Sequence, residues 1–241
     1  MSREERARKM REYWDERARL NAAYYVDTRL DYDALDMDMF WEQGELLVKR
    51  AMDEGPAKVP NGQTAIEIGS GLGRNVRALA KRFDKAIGCD ISPEMLARSK
   101  PEMPDNVELV QIDGTSLHPL EDASIDLVMS ITVLQHIPDP AVTEGYIRET
   151  ARVLKPGGFA VVQWNGSAGS ARSWALKRQW LAVTAKLGRR GEKYGREAPE
   201  FFGSRIPRPR FLAMVEAAGL HNRGTTGDGT IDSWIWMQKP A

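Results

Sequence analysis

Glu67-Ile68-Gly69-Ser70-Gly71-Leu72-Gly73-Arg74 stands between a short apolar run, Thr64 to Ile68, and an amphipathic stretch, Leu72 to Phe83. The run has the length and composition of a strand, and the stretch has the apolar spacing of a helix. The segment between them is a strand-to-helix turn. Glycines in such a turn let a ligand approach the backbone and reach the N-terminus of the helix, which points to a nucleotide-like ligand. The spacing narrows this further. A dinucleotide fingerprint is G-x-G-x-x-G. Here the third glycine, Gly73, comes one residue early and Arg74 takes its place, which disfavours a nicotinamide oxidoreductase.

On either side the pattern is regular. Lys85 to Cys89, Val107 to Ile112, Ile125 to Ser130 and Phe159 to Trp164 read as four further strands. Between them Ser92 caps a helix starting at Pro93, and Ala141 to Leu154 is a helix ended by Lys155-Pro156-Gly157-Gly158. Strands alternating with helices imply a mostly parallel sheet covered on both faces. Pro207 to Ala218 is helical. Leu220 to Thr225 and Ile231 to Met237 are strands joined by five residues with two glycines, which suits an antiparallel hairpin. Before the first strand, residues 2–20 read as an exposed helix with Tyr13, Trp14 and Leu20 on its buried side. Asn21 to Met39 reads as irregular, and Phe40 to Glu54 as a second helix stopped by Gly55 and Pro56.

Two acids stand at strand ends beside the glycine turn. Asp90 ends the second strand, where a carboxylate can accept from both hydroxyls of a ribose, and Asp113 ends the third, within reach of an adenine amine. At this point the chain resembles the class I S-adenosylmethionine-dependent methyltransferases. The motifs that carry the resemblance are EIGSGLGR at 67–74, GCDISPEML at 88–96, QIDG at 111–114, IDLVMSITVLQHIPDP at 125–140 and RVLKPGGFAVVQW at 152–164, five blocks in order over about 100 residues. The resemblance implies an α/β Rossmann-like methyltransferase fold. Its mostly parallel seven-stranded sheet would end in a C-terminal antiparallel hairpin, with helices on both faces. A helical cap would occupy residues 1–60 and the catalytic domain 61–241, with an inserted lid over 165–206.

Site roles follow from the same resemblance. Gly69, Ser70, Gly71 and Gly73 form the loop against which the cofactor lies, and Glu67 orders that loop and helps set the site of the methionyl ammonium. Asp90 takes the ribose hydroxyls, Ile91 packs on the adenine, and Asp113 with Gly114 meets the adenine amine. The backbone at Ser130 and Ile131 faces the ammonium. Arg74 is a candidate partner for the cofactor carboxylate, and Tyr24 and Tyr25 on the cap close over that end. Methyl transfer from a sulfonium needs alignment and exclusion of water more than it needs side-chain chemistry. A base helps when the nucleophile arrives protonated, and His136, just beyond the fourth strand, is the candidate. His118 and His221 read as structural or solvated.

Composition bounds the rest. The chain has 241 residues, 34 basic and 34 acidic side chains, and one cysteine, Cys89. That excludes an internal disulfide and a cysteine-based zinc site, and no acidic or histidine cluster has metal-ligand spacing. The charged N-terminus lacks the apolar core of a secretory signal, and no run reaches the ~20 apolar residues of a membrane span, so the expected location is the cytoplasm. Charge is uneven: Asp27 to Glu54 carries a net of −6 and Ser170 to Arg210 a net of +8. The basic stretch holds Trp174, Trp180, Tyr194, Phe201 and Phe202, and reads either as a solvated face paired with the acidic one or as a lid over an aromatic or carboxylate-bearing substrate. Basic plus aromatic also suits single-stranded RNA. The zero net charge and the absence of an Asn-Pro-Pro-aromatic motif after the fourth strand count against nucleic acid. The reading is transfer of a methyl group from S-adenosylmethionine to a small organic acceptor, on oxygen in preference to nitrogen, with release of S-adenosylhomocysteine. Methylation of RNA or protein, and a non-catalytic cofactor-binding regulator or partner subunit, are the alternatives. Oligomeric state is open.

Overall fold

The computed structural model describes residues 3–167, 201 and 203–241. Most of the expected lid, including Trp174, Trp180, Tyr194 and Phe202, lies outside the described residues, as does the greater part of the basic stretch.

Two helices, α1 (Arg3–Val26) and α2 (Met37–Lys49), precede the sheet, and a π-helical turn, Arg50–Glu54, continues α2. Then come β1 (Gly62–Ile68), α3 (Arg74–Leu79), β2 (Phe83–Asp90), α4 (Pro93–Ser99), β3 (Val107–Gln111), β4 (Ile125–Ser130), α5 (Pro140–Val153) and β5 (Leu154–Trp164). The C-terminal part supplies α6 (Arg208–Ala217), β6 (His221–Thr226) and β7 (Ser233–Gln238). The strands form one seven-stranded sheet in the order β3-β2-β1-β4-β5-β7-β6. The first five are parallel, and β7 lies between β5 and β6, antiparallel to both.

Strand residues alternate between two cores, because successive side chains point to opposite faces. Ile66, Ile68, Val128 and Val162 join Ile147 of α5 and Phe211 of α6 on one face. Ala65, Leu127, Val161 and Trp236 join Met52 and Leu79 on the other, where α2 and α3 lie. The chain leaving β1 therefore goes to one face and the chain leaving the adjacent β4 goes to the opposite face. Their divergence opens a crevice beyond the carboxyl ends of the strands, the position where ligands bind in open α/β sheets.

Several expectations change at the N-terminal end. Helix continues past Asn21 to Val26, with one break at Asn21 itself (φ −166°, ψ 84°). There the Asn21 side chain accepts from the Tyr24 N–H and donates to the Tyr32 carbonyl, so it caps the resumed helix and pins the next loop. Asp36 caps α2 in the same way, through the Met39 N–H. Leu20 is not on the buried side; it is 52% exposed, whereas Tyr13, Ala18 and Ala22 are buried and Trp14 is half-buried. Helix α3 is shorter than the amphipathic stretch, because Phe83 already belongs to β2. Strand β7 starts at Ser233, leaving Ile231 exposed before it. The acidic stretch finds partners near its own end of the fold: Asp27 with Arg74, Glu45 with Lys81, and Asp53 with Arg82.

Candidate active site

Two cavities meet at the crevice. The first, about 440 Å³, is floored by the chain just beyond three consecutive strands: Gly69 and Gly71 after β1, Asp90 and Ile91 at β2, Ile112 and Gly114 at β3. Helix α1 roofs it with Ala7, Met10 and Trp14. The second, about 540 Å³, lies beyond β4, β5 and β7, with Ile131, Gln163, Asn165 and Trp234 in its wall. Tyr25, Val26, Thr132 and His136 line both.

The glycine loop is built as its sequence implies. Gly69, Gly71 and Gly73 all have positive φ (72°, 53° and 86°), a region that costs other residues about 1–2 kcal/mol. Close approach adds to this: a Cβ on Gly69 would lie 2.3 Å from Val133 Cγ2, and one on Gly71 2.8 Å from Val26 Cγ2. The N–H groups of Gly69 and Ser70 both donate to the Cys89 carbonyl. Ser70 itself is buried beneath the loop and lines neither cavity.

Asp90 anchors the loop from β2. One carboxylate oxygen accepts from the Gly71 N–H and the other from the Ser92 N–H, each at 2.8 Å. Burial pushes its carboxyl up to about 6, against these backbone bonds. Each oxygen keeps a second lone pair, and the residue borders the first cavity. Ile91 borders it too, packed against Gly114, where a Cβ would sit 2.4 Å from Ile91 Cδ1.

Glu67 lies on the α3 side of the sheet, below the loop and outside both cavities. It accepts from the Asn75 amide at 2.6 Å, which ties β1 to the start of α3. Burial pushes its carboxyl up to about 8. Tyr25 borders both cavities, whereas Tyr24 packs edge-on against Tyr25 and Tyr32 behind it. The Ser130 hydroxyl donates to the Ile68 carbonyl, joining β4 to β1, and Ile131 lines the second cavity.

Two expected cofactor contacts have other partners. Arg74 does not stand open to a cofactor carboxylate: its guanidinium bonds Asp27 at 2.6 Å, with both side chains 4% exposed. A guanidinium that deep needs a counter-charge from the protein. Burial alone would raise the Asp27 carboxyl, but the Arg29 and Arg74 guanidiniums together hold it at about 2. Asp113 turns its carboxylate into its own loop, accepting from the Thr115 and Ser116 N–H groups at 2.6 and 2.7 Å. It does not border the first cavity, although Gly114 and Thr115 beside it do.

His136 is in a 3-10 turn, Leu134–His136, after β4, and its ring borders both cavities. Trp14 meets it edge-on and Phe201 lies against it. Nδ1 bonds the Phe201 carbonyl. A carbonyl only accepts, so Nδ1 carries the proton and Nε2 holds the basic lone pair. Burial lowers the pKa below the usual imidazole value, against the pull of that carbonyl, so the ring is neutral at pH 7.

Some cavity residues were not read from the sequence. Thr132 has φ 59°, rare for a β-branched residue, and its N–H donates to Gln163 Oε1 while Gln163 donates to Asp232. Nothing local in the sequence signals that conformation. By contrast, Ala7, Met10 and Trp14 stand three and four apart on one helix face, a spacing visible in the sequence.

Residues 66–162 match the family model described as methyltransferase domain. Over that span the chain carries a methyltransferase domain. The 2-methyl-6-phytyl-1,4-hydroquinone methyltransferase of Synechocystis sp. is 36% identical to it over 110 residues, covering 44% of this chain and 34% of that protein. An uncharacterized methyltransferase of Mycobacterium sp. is 29% identical over 171 residues, covering 70% and 63%. The chain thus spans between about a third and just under two thirds of the length of these relatives. The YcgJ protein of Bacillus subtilis shares the fold of the methyltransferase domain, with a TM-score of 0.58 at 17% identity over 83% of this chain and 99% of that one. The residues present suit the cofactor of this family: the first cavity lies within the ~300–1,000 Å³ of small-molecule sites, and it has glycine backbone on one wall and a ribose-height carboxylate on another. Among the described residues, no group of three or more His, Cys, Asp or Glu side chains could hold a metal ion, and no helix is long and apolar enough to cross a membrane.

Proposed function

We propose that the protein transfers a methyl group from S-adenosylmethionine to a small organic acceptor, on oxygen in preference to nitrogen. The observation that carries this reading is the shared wall of Tyr25, Val26, Thr132 and His136 between a cavity with nucleoside-binding features and a second cavity beside it. When bound, the cofactor supplies an electrophilic sulfonium methyl. The work of the chain is then to hold donor and acceptor in line across that wall and to exclude water. Gly69, Gly71 and Asp90 hold the ribose end, Ile91 and Gly114 the adenine, and α1 closes over them as the cap, residues 1–60.

Oxygen is favoured because a hydroxyl must lose its proton during transfer. His136 Nε2 holds the lone pair of a neutral ring at the wall itself, where the Gln135 amide faces it at 3.4 Å, and accepts that proton when the acceptor hydroxyl displaces the amide. The similarity to a hydroquinone methyltransferase agrees with an acceptor of this size.

The test is a titration with S-adenosylhomocysteine, followed by transfer of labelled methyl to a panel of phenols and carboxylic acids. Micromolar product binding is expected. The His136→Ala variant should lose about 10²-fold or more in turnover while product affinity stays within about threefold. No product binding in the wild type would overturn the reading. Loss of that binding in His136→Ala alone would make His136 a structural part of the donor site.

A further inference from the structure

Two donors of the second cavity have no acceptor among the described residues. Trp234 and Trp236 stack on the same face of β7, 5.9 Å apart and both buried. Trp236 donates its indole N–H to the Ala51 carbonyl at 2.7 Å, whereas the Trp234 N–H has no partner among the described residues, although the side chain is only 1% exposed. Trp234 borders the second cavity and not the first. Over its ring, 4.5 Å from the centroid, lies the guanidinium of Arg50, which also borders only the second cavity. Among the described residues, Arg50 forms no ion pair.

The surrounding charges do not supply what these donors lack. The wall holds three guanidiniums, Arg29, Arg50 and Arg74, against two carboxylates, Asp27 and Asp232. Asp27 is bound by both Arg29 and Arg74, and Asp232 accepts from the Gln163 amide. The rest of the wall is largely apolar, with Leu47, Ile131, Phe201 and Ile231. A planar anion that accepts two hydrogen bonds suits a guanidinium stacked on the face of an indole whose N–H is unpaired among the described residues. Arg50 stacked on the indole is held in orientation without losing its donors.

We propose that Arg50 and the Trp234 N–H form the anchoring subsite of this cavity, and that its occupant is an apolar, aromatic acceptor bearing a carboxylate. The proposal rests on the reading of the second cavity as the acceptor site. The carboxylate binds at Arg50 and Trp234, and the group to be methylated lies toward His136 and Gln135.

The test uses 2-naphthoate and its uncharged counterpart 2-naphthamide, titrated into the full chain saturated with S-adenosylhomocysteine. The naphthoate should bind at least about tenfold tighter than the amide, as expected for a hydrogen bond to a charged group. Arg50→Gln should abolish that preference. Trp234→Phe, which removes the N–H but keeps an aromatic ring, should reduce it several-fold, with a thermal midpoint lowered by the lost packing but still above the assay temperature. Affinity for S-adenosylhomocysteine should stay within twofold in both variants. Equal binding of acid and amide, or variants that keep the wild-type preference, would overturn the proposal. So would a loss of S-adenosylhomocysteine affinity in Arg50→Gln, which would assign the arginine to the cofactor's own carboxylate. Should the wild type bind no S-adenosylhomocysteine, the proposed function fails, and the same pair titrated into the free protein decides the subsite by the same preference.

Discussion

The two cavities share a wall but are made differently. The donor cavity is floored by the chain just past β1, β2 and β3, and its main contacts are backbone, glycine and one anchored carboxylate. The second cavity is walled by side chains from the end of α2, the turn after β4, the end of β5 and the start of β7. A site made of strand ends needs only a few residue types at fixed spacings, because the sheet supplies the geometry. A site made of side chains from remote segments depends on how helices and strands pack. The Trp236 bond to Ala51, between positions 185 apart, is one of the contacts that bring those segments together.

The sharpest way to break the comparison is at the loop. Gly69→Ala should eliminate measurable S-adenosylhomocysteine binding, since the new Cβ would enter Val133 at 2.3 Å and the backbone has φ 72°. Retained binding by calorimetry would mean the donor site does not depend on that loop conformation.

A smaller effect, on stability, separates the two guanidiniums on Asp27. Arg74→Met breaks a pair in which both partners are 4% exposed and should cost about 3–5 kcal/mol in denaturant unfolding. Arg29→Met removes a partner that is 61% exposed and should cost under about 1 kcal/mol. Equal costs would show that burial of the pair is not what matters.

Asp90→Asn should weaken S-adenosylhomocysteine about 30-fold, on the order of 2 kcal/mol for a charged hydrogen bond. Its effect on occupants of the second cavity should be small, and an equal loss on both sides would mean the cavities are not separable.

A pH slope is expected under the loop. The buried Glu67 carboxyl is raised to about 8, from an ordinary 4.5. Between these values the folded state keeps a proton that the unfolded chain has released, so stability falls as pH rises through that window. Wild type should therefore lose more stability than Glu67→Gln between about pH 5 and about pH 8. Equal slopes in pH-dependent melting would mean that Glu67 is ionised in the fold.

The residues bordering the first cavity were largely legible. Gly69, Gly71, Asp90, Ile91 and Gly114 all border the first cavity, because each belongs to a strand end whose period and punctuation show in the sequence. Arg74 and Asp113 were legible as residues near the crevice but not in their partners. Which acceptor or donor a side chain meets is set by competition among neighbours: Asp27 on the cap for one, the Thr115 and Ser116 N–H groups for the other. Leu20 shows the same limit on a helix, since its exposure depends on which face of α1 the sheet domain meets.

The strands along the chain, the glycine loop and the carboxylate at the end of the second strand follow from the sequence by itself, because hydrogen-bonded strands and positive-φ turns constrain residue types locally. Tertiary structure alone decided that His136 would be neutral with its proton on Nδ1, that Thr132 would take a left-handed conformation between two cavities, and that Arg50 would lie on an indole whose N–H has no acceptor among the described residues. Each of these depends on burial and on partners far apart in the chain, and neither exists before the chain has folded.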